Sequence, residues 1–230
     1  MNAIIFDIET EALPFSILKA IVPPFNPDEV AIGNRVDPAK IAAFIDQKAA
    51  SYWEEVVNNA ALSAVTGRVL AIGVLKTGPG VEEFTLMHPT EEFTTRDETS
   101  IIKEFWDLLS SDPQGRMPQV IGFNSHGFDL PFLVRRSWAL GLKVPQCVRR
   151  GRYWETIDLM EEWGFGSRQE RISLDQVSKF FGLPGKNGSG KEFASLYKRD
   201  QPTALEYLKN DLRLTRDVAV KMGVIPAWNV

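Results

Sequence analysis

Apolar runs separated by turn residues predict the strands of this chain. Residues 3–7 and 119–123 are short and almost wholly apolar, which is typical of buried strands. Residues 69–75 form the longest apolar run, and a turn near residues 77–80 leads to another strand at residues 81–87. These last two strands have the spacing of a hairpin. The pattern indicates a sheet that contains a hairpin and gains its other strands through helices.

Apolar residues at helical spacing predict helices between these strands. Asp37 and Pro38 have the residue types of an N-cap and a first helical position. The expected helices cover residues of about 38–61, 98–110, 129–140, 173–181 and 202–222. Five prolines from residue 14 to residue 38 predict an irregular segment there. The order of elements predicts an α/β fold, with a mixed central sheet flanked by helices.

The composition limits the class of protein without identifying it. A chain of 230 residues can bury a full core and fits one domain, with or without an insertion. Its 30 acidic residues outnumber its 26 basic ones, so bulk charge does not hold it to nucleic acid, and only a local basic groove could. The longest apolar run is too short to cross a bilayer, so no membrane association is expected. Cys147 is the single cysteine, which excludes an internal disulfide and suits a cytoplasmic location.

Asp7 and Glu9 are the first candidates for chemistry. They stand two residues apart at the end of the first predicted strand, where residues i and i+2 share a face. Two carboxylates aimed at one point repel each other unless a cation neutralises them, and hard oxygen ligands select Mg²⁺ or Mn²⁺. For an isolated pair of this kind, a strand that emerges into solvent would be the better explanation.

Three further residues stand in settings that also have ordinary explanations. Asp129 opens a predicted helix directly after a buried strand, where an acid commonly serves as an N-cap. Tyr207 and Asp211 are four residues apart on the last predicted helix, so they share a face. Each motif is weak alone, and their joint occurrence in this order is what indicates a function.

Together the three motifs resemble those of the DEDD exonucleases, the proofreading branch of the ribonuclease H-like fold. The first motif has the form D-x-E followed by threonine, the second N-x-x-x-F-D, and the third Y-x-x-x-D, the tyrosine version called DEDDy. The matching positions are Asp7, Glu9, Thr10, Asn124, Phe128, Asp129, Tyr207 and Asp211. The chain is most similar to the exonuclease domain of family B DNA polymerases and its stand-alone relatives, with further likeness at residues 156–160 and 173–186.

This resemblance implies a fold and a domain plan. The fold would be ribonuclease H-like, in a single 3′–5′ exonuclease domain that covers residues 1–230. Residues of about 14–61 exceed what the core of the family needs, so they would form a helical insertion after the first strand.

The resemblance also implies the chemistry. Two divalent metal ions, Mg²⁺ or Mn²⁺, would be held by Asp7, Glu9, Asp129 and Asp211, and Tyr207 would orient the attacking water. A tyrosine with an ordinary pKa of about 10 is better suited to orientation than to proton removal. The expected product is a 5′-nucleoside monophosphate released from a 3′ end.

The expected substrate is the 3′ end of single-stranded DNA. The resemblance places Thr10, Leu13, Asn124 and Phe128 against the terminal nucleotides, although core packing would explain Leu13 and Phe128 equally well. Aromatic stacking accepts any base, so little sequence preference is expected. Several arginines are candidates for phosphate contacts, namely Arg135, Arg136, Arg149, Arg150 and Arg152.

Other functions compete with this interpretation. Residues 185–192 nearly fit a phosphate loop, but Glu192 stands where a Mg²⁺-binding hydroxyl is required, which argues against a nucleotide triphosphatase. A 3′–5′ exoribonuclease on the same fold stays open, as does a non-catalytic nucleic-acid-binding or docking module. The presence of all four acids and Tyr207 argues against the non-catalytic module. A role in DNA repair or replication would involve a polymerase or repair protein in trans.

Overall fold

The part of the chain described by this computed structural model comprises residues 2–89, 95–110, 119–145, 148, 156–167, 171–186, 188 and 190–228. It divides into two units, one formed by Met1–Glu9 with Val69–Val230 and the other by Thr10–Arg68. Four residues singled out above lie outside the described residues: Cys147, Arg149, Arg150 and Arg152.

A mixed five-stranded sheet forms the centre of the first unit. Its strands are β1 (Ala3–Ala12), β2 (Gly67–Gly78), β3 (Val81–Met87), β4 (Gln119–Gly122) and β5 (Thr156–Asp158). They are ordered β3-β2-β1-β4-β5 across the sheet. The hairpin predicted from the sequence is confirmed by the antiparallel pairing of β2 with β3, whereas β4 is parallel to both β1 and β5. The predicted α/β class, with a ribonuclease H-like mixed sheet, is confirmed.

The described residues contain eight α-helices. They are α1 (Phe15–Ile21), α2 (Pro38–Ala60), α3 (Thr95–Ser110), α4 (Asp129–Ala139), α5 (Leu159–Trp163), α6 (Leu174–Phe180), α7 (Gly190–Arg199) and α8 (Gln201–Lys221). None of these helices is both long and apolar enough to cross a bilayer.

The last helix lies close against the sheet. A Cβ atom added to Gly73 of β2 would come within 2.8 Å of Leu208 Cγ and 2.9 Å of Leu212 Cδ1, so the glycine permits this approach. Leu208 and Leu212 are fully buried, and burial of their side chains is the main stabilising contribution at this contact. Helix α8 is thereby fixed against the strands that precede it in the chain.

Several elements differ from the prediction. β1 continues to Ala12 instead of ending at Asp7, because polar side chains on a strand do not interrupt the pairing of its backbone. Helix α1 lies within the segment expected to be irregular, since Pro14 precedes the helix and Pro23 follows it. Helix α7 begins at Gly190, in a stretch for which no helix was predicted, and the short β5 and α5 were not predicted either.

The second unit is held together by aromatic side chains. Phe15 meets Trp53 edge-on at 5.4 Å between ring centroids, and Phe25 meets Tyr52 at 5.6 Å in the same manner. The Tyr52 hydroxyl also donates to the Pro23 carbonyl at 2.6 Å. These contacts join α1 and the proline-containing segment to α2.

The residues Asp37 and Gly67 explain how α2 begins and how the chain turns after it. The Asp37 side chain accepts a hydrogen bond from the Ala39 N–H at 2.9 Å, so the predicted N-cap is confirmed. After the helix, Gly67 lies so close to the preceding turn that an added Cβ would come within 2.8 Å of the Ala60 carbonyl oxygen and 3.1 Å of the Ser63 one. Only glycine fits this approach without a shift of the backbone.

Gly67→Ala is expected to lower the free energy of unfolding by about 1–3 kcal/mol, because the methyl group overpacks against backbone atoms that cannot rotate away. Chemical denaturation gives this difference. Gly190→Ala is the matched control, since the nearest atom to its added Cβ is Glu9 Oε2 at an ordinary 3.7 Å. Equal stability of the Gly67→Ala and wild-type proteins would show that the close approach does not exist.

Candidate metal centre

Three carboxylates from distant parts of the chain meet at one point. Asp7 and Glu9 alternate along β1 and therefore share a face, and Asp211 projects from α8. One ligand oxygen from each of the three lies within 4.8 Å of the others. The sequence interpretation placed these residues in one site, and the structure brings them together.

Burial makes this cluster costly to ionise. It raises the pKa of Asp7 to about 7, with a further contribution from Asp211 and an opposing one from Lys186. Burial, followed by the charges of Asp7 and Asp211, also raises the pKa of Glu9 well above its usual value. The pKa of Asp211 is raised by burial as well, although Lys186 opposes the change. All three groups would be stabilised as carboxylates by a bound cation.

Asp129 lies beside β1 but outside this trio. Its Oδ1 accepts a hydrogen bond from the Ile8 N–H at 3.1 Å, between Asp7 and Glu9 along the strand. The N-cap of α4 is Phe128 and Asp129 is the first residue within the helix, so the ordinary N-cap explanation does not apply. Burial, and then the charge of Asp7, raises its pKa well above the usual range. Asp129 is therefore a fourth buried acid next to the trio.

Tyr207 lies one turn before Asp211 on α8. It is buried, and its hydroxyl makes no well-formed hydrogen bond within the described part of the chain. Burial, followed by the charge of Asp211, raises the pKa of the phenol, so it stays protonated near neutral pH. A buried hydroxyl that makes no well-formed hydrogen bond is costly in free energy. This indicates that a group outside the described protein atoms hydrogen-bonds to the Tyr207 hydroxyl.

Lys186 is a cation in this acidic site that the sequence did not single out. Its Nζ lies 2.5 Å from Asp211 Oδ2 and 5.6 Å from the centre of the Tyr207 ring. Burial lowers its pKa, but Asp211 and Asp7 raise it by more, so the ammonium stays charged. Its own N–H donates to Asp175 Oδ1 at 3.0 Å, which fixes the backbone at this residue. The sequence offered no spacing rule that connects residue 186 with residue 211.

The residues present fit a hard divalent cation. Three carboxylates less one ammonium leave two negative charges uncompensated, and adding Asp129 leaves three. Carboxylate oxygens are the ligands that Mg²⁺ and Mn²⁺ prefer. The raised pKa values and the orphaned Tyr207 hydroxyl both indicate a site that something else completes.

The predicted substrate residues lie in two places. Asn124 and Phe128 lie, half-buried, on the turn between β4 and α4, and the Phe128 ring packs against Phe132 at 5.5 Å. Thr10 and Leu13 belong to the second unit, where the Thr10 hydroxyl donates to the Ala61 carbonyl at 2.7 Å and the Leu13 N–H to the Thr66 carbonyl at 2.8 Å.

Two of the predicted phosphate-binding arginines are described by the structure, and they differ. Arg135 is exposed and could contact a phosphate. Arg136 is buried and forms a two-pronged ion pair with Glu98, at 2.8 and 2.7 Å. The expectation that Arg136 contacts phosphate is therefore wrong, because its guanidinium already serves to neutralise a buried acid.

Comparison with known proteins matches most of the chain to one protein family. Residues 61–218 match a family described as a predicted 3′–5′ exonuclease related to the exonuclease domain of PolB. This match includes Asp129, Tyr207 and Asp211, whereas Asp7 and Glu9 precede it.

The individual proteins that are similar to the chain include two DNA polymerases. DNA polymerase 1 of Aeropyrum pernix is 26% identical over 177 residues, which are 70% of this chain and 18% of that polymerase. The chain thus matches less than a fifth of that relative's length. The structure of the family B DNA polymerase from the hyperthermophilic archaeon Pyrobaculum calidifontis matches with a TM-score of 0.57 and 19% identity, over 96% of this chain and 24% of that one. This structural likeness shows the fold.

Proposed function

Because the chain belongs to the family of predicted 3′–5′ exonucleases related to the exonuclease domain of PolB, we propose that it removes 5′-nucleoside monophosphates from the 3′ ends of single-stranded DNA. The observation that carries the proposal is the meeting of Asp7, Glu9 and Asp211 within 4.8 Å in a buried site. DNA is proposed as the substrate because the curated relative is a DNA polymerase.

Each acid has a part in this proposal. Asp7, Glu9 and Asp211 would hold one divalent ion, Mg²⁺ or Mn²⁺, and Asp129 with Asp7 would support a second. When bound, such ions stabilise the charge that develops on the attacking and leaving oxygens of a phosphodiester. The water attacks the phosphorus of the last phosphodiester, and the 3′ oxygen of the preceding nucleotide departs.

Tyr207 and Lys186 complete the site from α8 and from the segment before α7. Since the raised pKa keeps Tyr207 protonated, its hydroxyl acts as a hydrogen-bond donor and orients the water or a phosphate oxygen. Lys186 supplies a fixed positive charge beside Asp211, where the negative charge of the reacting phosphate would be stabilised.

Tyr207→Phe is expected to lower kcat roughly 10- to 100-fold, because one hydrogen bond to a charged reacting group is lost. The KM is expected to change little, and the melting temperature to stay equal or rise, since the variant removes a buried hydroxyl that makes no well-formed hydrogen bond within the described residues. Steady-state kinetics and a thermal melt measure both effects.

Tyr197→Phe is the matched control for that change. Its hydroxyl donates to the Pro89 carbonyl at 2.9 Å and lies 2.6 Å from Gln201 Nε2. Its loss should therefore lower stability and leave kcat unchanged. A full kcat in Tyr207→Phe would remove the tyrosine from the mechanism.

The polarity and the substrate are tested with a 3′-labelled and a 5′-labelled DNA strand and with an RNA strand of the same sequence. In the presence of Mg²⁺ or Mn²⁺, a 3′-labelled DNA strand should lose its label at once as a mononucleotide, and a 5′-labelled strand should shorten in a ladder. An RNA strand of the same sequence should be degraded more slowly. Faster degradation of the RNA would make the protein an exoribonuclease, and shortening from the 5′ end or an intact strand would overturn the proposal.

The wider setting of the activity is proposed from the sequence. Action beside a polymerase or a repair protein in trans would suit an exonuclease of this family. A cytoplasmic location, indicated by the single cysteine, stays a prediction. Thr10, Leu13, Asn124 and Phe128 remain the residues proposed to contact the terminal nucleotides.

A further inference from the structure

The turn between β4 and α4 is attached to β5 by a single buried carboxylate. Asp158 Oδ1 accepts hydrogen bonds from the N–H groups of Asn124 and Met160, each at 2.9 Å. Its Oδ2 accepts one from the N–H of His126, also at 2.9 Å. Since Gly122 pairs with Asp158 in the parallel β4–β5 ladder, these bonds continue the attachment beyond the end of β4.

The His126 side chain adds a second attachment at the same turn. Its Nδ1 lies 2.8 Å from Glu161 Oε2 and its Nε2 lies 2.9 Å from Thr156 Oγ1. A carboxylate accepts only, so Nδ1 carries the proton towards Glu161, and in the neutral imidazole Nε2 then accepts from the Thr156 hydroxyl. The imidazole thereby spans from the first residue of β5 to α5.

His126, Asp158 and Glu161 also have the spacing of a metal site, with their ligand atoms within 4.8 Å of one another. The hydrogen bonds argue against a metal here. Both oxygens of Asp158 already accept backbone N–H groups, and both ring nitrogens of His126 already have partners. A metal would have to displace these bonds. The hydrogen bonds of Asp158 and of the His126 side chain instead attach the turn to β5, and together they are called the latch below.

The turn held by this latch has a demanding conformation. Asn124 adopts φ 59°, a left-handed conformation that non-glycine residues rarely occupy. Its carbonyl accepts from the N–H groups of Gly127 and Phe128, and a Cβ added at Gly127 would lie 2.5 Å from Asn124 Oδ1. Such a backbone persists only when its surroundings determine it, and Asp158 supplies two of the determining bonds.

We infer that Asp158 and His126 are positioning residues, which preset the turn carrying Asn124 and Phe128 for the 3′-terminal nucleotides. This inference rests on the proposed function, because it assumes that Asn124 and Phe128 contact the substrate. A preset turn does not lose conformational freedom when the substrate binds, so weakening the latch should weaken substrate binding more than catalysis. Asp7, Glu9 and Asp211 lie on β1 and α8 and do not depend on these bonds, and Asp129, which follows the turn, has its own attachment to the Ile8 N–H.

The kinetic test compares variants of both latch residues. In Asp158→Asn, an amide NH₂ group that cannot accept replaces the oxygen bonded to the backbone N–H of His126, and the KM for a single-stranded DNA oligonucleotide should rise about 10-fold while kcat falls less than about 3-fold. His126→Ala should also raise the KM. This residue is half-buried, so the substitution should disturb the core less than Asp158→Asn. His126→Asn should raise the KM less than His126→Ala does, because the asparagine amide N–H can still donate to Glu161. Glu162→Gln, at an exposed neighbour of the latch on α5, should leave both constants unchanged.

Amide hydrogen exchange tests the latch without reference to activity. In Asp158→Asn and His126→Ala, the backbone N–H groups of residues 124 and 126 should exchange faster than in the wild type, while those within α4 keep their protection. An unchanged KM together with unchanged exchange at these amides would overturn the inference. So would one equivalent of Zn²⁺ bound by the wild type and lost in both His126→Ala and Glu161→Gln, since the cluster would then be a metal site. If the wild type degrades no nucleic acid, the proposed function fails, and the exchange data still decide whether the latch exists.

Discussion

Asp7→Asn is expected to lower kcat about 1,000-fold, which corresponds to a loss of about 4 kcal/mol of transition-state stabilisation. The charge of Asp7 raises the pKa of both Glu9 and Asp129. Asp7 also shares the three-carboxylate cluster with Glu9 and Asp211. Replacing it by an uncharged amide of the same size removes a ligand without changing the packing. Single-turnover digestion of a 3′-labelled DNA strand at saturating Mg²⁺ measures the loss.

The stability of the same variant separates a functional acid from a structural one. Because Asp7 lies half-buried beside other acids, neutralising it relieves repulsion, so the metal-free variant should melt at an equal or higher temperature than the wild type. Asp107→Asn, at an exposed acid on α3, is the matched control and should change neither property. Retained activity in Asp7→Asn would contradict the assignment of the site.

The metal-free protein is expected to lose stability as the pH rises from about 4 to about 7. The pKa of Asp7 is raised from 3.8 to about 7 in the folded state, so in this window the folded protein binds more protons than the unfolded chain. Stability then falls with increasing pH until Asp7 is ionised, and the raised pKa values of Glu9, Asp129 and Asp211 act in the same direction. The contribution of Asp7 alone should be roughly 4 kcal/mol, or about 8–16 °C in the melting temperature, and the other three acids add to it.

Divalent cations should reverse this trend. They bind the ionised carboxylates and not the protonated ones, so Mg²⁺ should raise the melting temperature at about pH 8 and have little effect at about pH 5. Exposed acids with lowered pKa values, such as Asp200 and Glu206, lose their contribution only below their usual pKa range, outside this window. Thermal melts at both pH values, with and without Mg²⁺, measure the effect. A metal-free protein that gains stability from pH 5 to pH 8, or an Asp7→Asn variant with the wild-type pH dependence, would contradict the account.

Local patterns in the sequence were sufficient for the parts of the site that depend on local geometry. The period of two along a strand puts Asp7 and Glu9 on one face, and the period of a helix puts Tyr207 and Asp211 one turn apart. The Asp37–Pro38 start of α2 and the β2–β3 hairpin have equally local causes. That β1 and α8 bring their acids to one point came from the resemblance to known exonucleases.

Contacts between distant segments could not be predicted in this way. Lys186 and Asp211 are separated by 25 positions, and nothing in the residue types around Lys186 distinguishes it from an exposed lysine. The pairing of Arg136 with Glu98 is similar, because the sequence shows an arginine on a helix but not the buried acid that it meets. The latch at Asp158 depends on the parallel pairing of β4 with β5, a strand of three residues that is too short to show a period.

The central claim is that Asp7, Glu9 and Asp211 form one divalent-cation site. Crystals of the wild-type protein grown or soaked with Mn²⁺ and measured at the manganese absorption edge test it most directly. The account predicts an anomalous peak in contact with carboxylate oxygens of all three residues, lost in Asp7→Asn. Manganese found only elsewhere, or no anomalous peak in crystals soaked at a saturating Mn²⁺ concentration, would contradict it.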